Sequence, residues 1–235
     1  MTPETFRLAV GCSDAVAKTW AGPMTAAMSE FGITTYAQQC AFIAQCGHES
    51  AGFTRVREIW GPTIWQQGYE HHPGLGNTQP GDGFTYRGRG PIQITGRANY
   101  AACGKALGLD LEQFPSLLEA ATVGARAAGW YWKTRNLNEL ADKGDFEGIT
   151  RRINGGLIGF EDRKAWLART LPACNGVEIK PRPPVKPAAT GAAGGAVVVT
   201  TITAAKSAGY DWTTIGTAAA LVVLLCVVAF IAYKA

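Results

Sequence analysis

One stretch limits the possible folds more than any other. Residues Ile215 to Tyr233 read IGTAAALVVLLCVVAFIAY, without a charged side chain and close to the roughly 20 residues that cross a bilayer as an α-helix. Trp212 and Tyr233 flank it and suit the two membrane interfaces. We therefore expect a single C-terminal transmembrane helix over 213–233. The preceding segment contains VEIKPRPPVKPAATGAAGG, rich first in proline and then in alanine and glycine, which predicts an extended linker over 177–212. The apolar patch Ala196 to Ala205 within it is threonine-rich and too short to span. Residues 1–176 remain as one domain, long enough for a sizeable core.

Charge sharpens this division. The chain holds 22 Lys and Arg against 18 Asp and Glu, and Lys180, Arg182, Lys186, Lys206 and Lys234 face only Glu178 and Asp211 in the tail. The domain is thus near neutral, and no nucleic-acid partner is expected, since that requires a concentrated basic face. Lys206 and the linker bases outnumber Lys234, which by the positive-inside rule places the domain on the cytoplasmic side. The start, MTPETFRLAV, lacks a basic segment followed by an apolar core, so no Sec signal peptide is expected. The six cysteines (Cys12, Cys40, Cys46, Cys103, Cys174, Cys226) have no C-x-x-C spacing and read as buried thiols. No metal site and no organic cofactor are expected.

Periodicity in 1–176 is mainly helical. Thr35 with Gln38 makes a capping-box start, after which Tyr36, Cys40, Ile43 and Gly47 share one face of a helix that should end near Glu49. Pro115 and Ser116 open a second segment in which Leu117, Ala121, Gly124 and Ala128 form a small-residue stripe ending at Trp130. Between them lies GDGFTYRGRGPIQIT, whose TYRGRG and IQIT portions read as short strands around a turn.

Two carboxylates stand out. FIAQCGHESAGF puts His48 and Glu49 at the end of an otherwise apolar helix, a costly place for an idle charge. The negative end of the helix dipole there favours the neutral acid that a proton donor needs. Nine residues on, Glu58 follows Arg55 and Arg57, whose charges favour an ionised carboxylate. Such a pair, with opposed environments, is the type used to hydrolyse glycosidic bonds. A solvated surface glutamate and a hydrogen-bonded core histidine are the plain alternatives.

Three segments in order, GHESAGF at 47–53, YRGRGPIQITGRANY at 86–100 and RRINGGLIGFEDR at 151–163, resemble the glycoside hydrolase family 19 domain of chitinases and phage lysins over roughly residues 5–172. The resemblance implies a mainly α, lysozyme-like two-lobed helical domain with a small β element, acting on β-1,4-linked N-acetylated amino sugars. On the matching positions Glu49 would be the general acid and Glu58 the general base, with inversion at the anomeric carbon and Thr95 holding the water. His48, Tyr86, Gln93, Asn99, Asn154 and Arg163 would contact the sugar. Arg87, Arg89 and Arg163 sit in these motifs, where guanidinium groups also brace carboxylates through bidentate pairs. Trp60 and Trp65 suit sugar stacking, whereas Trp130 and Trp132 suit the core.

The match has departures. Glu58 is followed by IWGPT where phage relatives often carry an ENLNYS-like run, and INGG is followed by LIG where plant chitinases have a Glu. The second favours the bacterial and phage branch, hence peptidoglycan over chitin. The expected protein is an endolysin held at the host inner membrane by its tail, its domain cytoplasmic until a holin or membrane collapse gives access to the wall. A chitinase, and a wall-binding module without turnover, are the rival readings.

Overall fold

A computed structural model of the protein describes residues 1–182. The domain is built from helices, beginning with α1 (Pro3–Val10), α2 (Asp14–Phe31) and α3 (Tyr36–Glu49). Side chains of Thr2, Ser13 and Thr35 cap their N-termini by accepting from the backbone N–H of Thr5, Val16 and Gln38. The expected capping box is present at Thr35 and Gln38, and α3 ends at Glu49 as its spacing predicts.

Helix α3 is the centre of the core. Every residue from Gln38 to Gly47 is buried, and a helix buried nearly all round must satisfy its polar side chains internally. Gln39 donates to the Thr34 carbonyl at 2.8 Å and Gln45 to the Thr150 hydroxyl at 2.9 Å. After the short helices α4 (Ile64–Gln67) and α5 (Asp82–Thr85), the chain forms α6 (Arg97–Leu107), α7 (Ala121–Thr134), α8 (Leu137–Asp142), α9 (Phe146–Asn154) and α10 (Phe160–Cys174).

Small residues set two close packings. A Cβ on Gly47 would stand 2.6 Å from the Trp166 ring, so α10 approaches α3 only because that side chain is missing. On α7, a Cβ on Gly129 would meet Phe31 of α2 at 2.4 Å, and one on Gly124 would meet the Leu118 carbonyl at 2.6 Å. The stripe expected from Pro115 onward is divided. Residues Pro115–Glu119 close a separate 3-10 turn, and Ala120 is extended before α7 begins, which lets the Leu118 carbonyl lie against Gly124. Trp132 is fully buried against Phe42, while Trp130 is partly buried at the core's edge.

The expected β element is minimal. Arg57 and Arg89, then Arg89 and Ile94, pair as isolated antiparallel bridges. Hydrogen bonds from Glu58 N to Gly88 O and from Gly90 N to Val56 O carry the first pairing. The five cysteines among the described residues are free, and all but Cys12 are buried.

The domain runs past the expected boundary at 176. Ile179 is buried, the Ser29 hydroxyl donates to the Lys180 carbonyl at 2.6 Å, and Arg182 N donates to the Ser29 carbonyl at 2.9 Å. Among the described residues no helix is long and apolar enough to cross a membrane. The span expected over 213–233, and the linker from 183 onward, lie outside the described residues.

Candidate active site

Glu49 is the last residue of α3, and its carboxylate is held from α10. Arg163 Nη2 donates to Glu49 Oε1 at 2.6 Å, and Arg163 Nη1 donates to Gln45 Oε1 one turn back on α3. With 2% of its side chain exposed, Arg163 is a buried brace. The expected contact between Arg163 and sugar is corrected accordingly, because two of its nitrogens are engaged inside the protein and Nε is sealed from solvent without a partner. Beside it, Tyr131 lies close enough to feel the charges of Arg135, Glu49 and Arg163, although burial is the main cause that raises its phenol above the ordinary range.

His48 is likewise braced. Its Nδ1 lies 2.6 Å from Asp162 Oδ2, which also accepts from Trp166 Nε1 at 3.1 Å. A Cβ on Gly159 would stand 2.7 Å from His48 Cε1 and 3.0 Å from Nε2, so the backbone of the α10 N-cap covers the other edge of the ring. His48 thereby joins the α3 terminus to α10, with 21% of its side chain exposed.

Glu58 sits on the small β element. Its Oε1 accepts from Gln66 Nε2 at 2.9 Å and from the Tyr69 hydroxyl at 3.3 Å, and its Oε2 accepts from Gly88 N at 2.9 Å. A carboxylate has about four acceptor sites, so one on Oε2 stays open for a water proton. Among the described residues neither Arg55 nor Arg57 makes an ion pair with Glu58, and Arg57 reaches Glu119 at 3.6 Å, alongside Arg89 at 2.8 Å. Three neutral donors hold Glu58 instead. Burial, then the Glu58 charge, pushes the Tyr69 phenol up to about 12, which keeps it a donor across the neutral range.

Gln93 is brought to the same place. A Cβ on Gly88 would fall 2.6 Å from Gln93 Oε1 and 3.4 Å from Glu58 Cβ, so the glycine lets the two side chains flank it. Gln93 has a left-handed backbone, φ 55°, and donates to the Gly90 carbonyl at 2.8 Å. The Thr95 hydroxyl donates to Gln93 O at 3.0 Å, leaving its lone pairs as acceptors, and Asn99 Nδ2 donates to Thr95 O at 2.7 Å. Asn154 closes α9 and is exposed, with Nδ2 3.3 Å from Ile158 O.

Tyr86 is another correction. It is 3% exposed, packs edge-on against Tyr100, and donates to the Glu112 carbonyl at 3.2 Å. No sugar can stack on a ring so enclosed. Trp65, in contrast, is 85% exposed, and Trp60 packs between Tyr69 and Phe84. Sequence reasoning missed Gln45, Gln66, Tyr69 and Asp162. For Gln66 a signal was present, since T-x-x-Q at 63–66 is a second capping box.

The family described as Chitinase class I matches residues 13–144, more than half of the chain and including both candidate carboxylates. A glycosyl hydrolase family 19 domain-containing protein of Haemophilus influenzae is 37% identical over 167 residues, covering 60% of this chain and 82% of that protein. An endochitinase of Arabidopsis thaliana is 41% identical over 118 residues, but the match spans 49% of this chain and only 38% of the plant enzyme. Among solved structures, a bacterial family 19 chitinase superposes with a TM-score of 0.60 at 25% identity, over 78% of this chain and 98% of its own. Chitinase C from Streptomyces griseus gives the same score and identity, over 78% and 79%. The helical domain and its two fixed carboxylates thus belong to glycoside hydrolase family 19, and the chain is a glycoside hydrolase of the chitinase type.

Proposed function

We propose that the protein is a peptidoglycan hydrolase that cuts the β-1,4-linked backbone of N-acetylmuramic acid and N-acetylglucosamine by single displacement. The observation that supports a two-carboxylate mechanism most is that the fold holds both side chains in place, each through its own partners. Glu49 lies at a helix end on one guanidinium, and Glu58 lies in a ring of neutral donors with one acceptor site open. In this reading Glu49 gives its proton to the glycosidic oxygen as the bond to the anomeric carbon breaks. Water attacks that carbon from the opposite face and loses a proton to Glu58, so the sugar emerges inverted. Thr95 accepts a hydrogen bond from the water, while Gln93, Asn99 and Asn154 orient the sugar.

The reading of peptidoglycan over chitin is supported by the LIG that follows INGG at 157–159. Chitin remains the second reading, supported by the names of the plant relatives and solved structures. The tail is proposed to hold the enzyme at the host inner membrane, with the domain cytoplasmic until a separate holin or loss of the membrane opens the way to the wall. The apolar run 215–233 supports this proposal.

The deciding experiment digests purified peptidoglycan and chitin in parallel with the full chain and its Glu49→Gln variant, with products identified by mass spectrometry. Muropeptides with new reducing ends, absent for the variant, are expected. Chitooligosaccharides alone would shift the substrate to chitin, and no product from either polymer would favour a wall-binding module.

A further inference from the structure

The turn after Glu58 has little to hold it in place. Ile59, Ile64 and Trp65 are exposed, and α4 has four residues, far too few for an isolated helix to persist in water. What fastens the turn is the one buried side chain of α4, Gln66. Its Oε1 accepts from Thr63 N at 2.8 Å and from Gly61 N at 3.2 Å. Its Nε2 donates to Ile59 O at 2.7 Å and to Glu58 Oε1 at 2.9 Å. Both amide protons and both carbonyl lone pairs are engaged. The amide cannot be turned over, because its oxygen would then face a carboxylate and a carbonyl while its NH2 faced two N–H groups.

A capping box is served equally by Glu or Gln at its third helical position. Only the amide, however, can donate to a carboxylate. We propose that Gln66 is a positioning residue for Glu58: its side chain locks the Ile59–Gln67 turn and aims the Glu58 carboxylate, and the position demands an amide where the helix cap alone does not. This rests on reading Glu58 as the base. The charged and titratable groups around Glu58 are Tyr69 on the same turn, Arg55 and Arg57 on its own segment, and Arg87 and Arg89 flanking Gly88. Among the described residues only Tyr69 bonds to it through a titratable side chain.

The test compares the full chain with Gln66→Glu, Gln66→Met and Glu58→Gln on the polymer that the wild type cleaves. Q66E keeps the cap but loses both Nε2 donations in a buried site, so its melting temperature should fall by several degrees with the domain still folded. Its kcat should fall about a hundredfold, as for a misplaced catalytic group. The acidic limb of its kcat profile should move to higher pH, because a like charge beside Glu58 disfavours the ionised form, and KM should stay near wild type. Should Q66E not fold, Q66M removes the donor without adding charge, and its kcat should fall at unchanged KM. Wild-type kcat and an unmoved acidic limb in Q66E, or wild-type kcat in Q66M, would reduce Gln66 to a cap and overturn the proposal. If Glu58→Gln itself turns over like wild type, the reading of Glu58 as base falls, and the role of Gln66 falls with it. An inactive Glu58→Gln beside a fully active Q66E would sink the Gln66 proposal alone.

Discussion

Arg163 and Glu49 stand 114 residues apart in sequence and 2.6 Å apart in space. The pair links the end of α3 to the first turn of α10, and the same guanidinium also holds Gln45. Because a planar fork makes both bonds, Arg163→Lys should keep the charge and lose the geometry, lowering kcat about a hundredfold on the cleaved polymer. Arg163→Ala should in addition cost about 3 kcal/mol in urea denaturation, near the low end for breaking a buried pair, since Glu49 keeps a fifth of its side chain exposed. A Lys variant with wild-type kcat would show that Arg163 is structural only.

Gly47→Ala tests the approach of α10 to α3. The new methyl would stand 2.6 Å from the partly buried Trp166 ring, a rigid group whose Nε1 is tied to Asp162. Overpacking of this kind costs about 1–3 kcal/mol, a fall of several degrees in melting temperature for a domain of this size. Calorimetry that finds the variant as stable as wild type would mean the helices separate freely.

Acid should weaken the fold through Asp82. Arg97 donates to both of its oxygens at 2.9 and 2.6 Å, and Thr78 N and Gln79 N add two more bonds. Arg97 first, then these backbone donors against the opposing effect of burial, bring its carboxyl down from 3.8 to about 2. A depressed folded-state value stabilises the fold above the unfolded value and is lost as pH falls through the folded one. About 2 kcal/mol should therefore be present above pH ~4 and vanish toward pH ~2. Asp82→Asn should be less stable than wild type at pH 7 and nearly equal to it at pH 2. A constant gap between the two denaturation curves would contradict the assignment.

Tyr69→Phe removes the weakest of the three donors to Glu58, at 3.3 Å. Its kcat should drop about fivefold, the worth of one modest hydrogen bond. Since the Tyr69 phenol lies at about 12, the basic limb of the activity profile should be the same in both proteins. A basic limb that moves would assign that titration to Tyr69.

The tail makes its own prediction. Full-length protein should pellet with membranes, and deletion of residues 207–235 should release it to the supernatant. Full-length protein that already fractionates as soluble would remove the anchor.

Local signals in the sequence carried much of this architecture. Helix α3 was legible from its capping box and spacing to the last residue, and the TYRGRG and IQIT segments do meet, though only through single bridges. What was illegible came from tertiary pairing. Arg57 is one residue from Glu58 yet pairs with Glu119, 62 positions away. Tyr86 lies in the most family-specific motif, but its ring fills the core against Tyr100. Arg163 is expected to reach the sugar, whereas α10 packs so closely on α3 that its guanidinium is enclosed, and His48 is tied to Asp162 across the same contact. The T-x-x-Q signal at 63–66 marks Gln66 only as a cap, and it is the fold that shows the carboxylate on its other side.

The strap of residues 177–182 across Ser29 has a mechanical consequence. A pull on the chain beyond Arg182 is met first by the Ser29–Lys180 and Arg182–Ser29 hydrogen bonds and by the buried Ile179 side chain. That load enters the protein through Ser29 in the last turn of α2, a helix that carries none of the candidate catalytic side chains. Tension from a tether would peel the strap before it reached α10, so the guanidinium holding Glu49 is insulated from force on the tail.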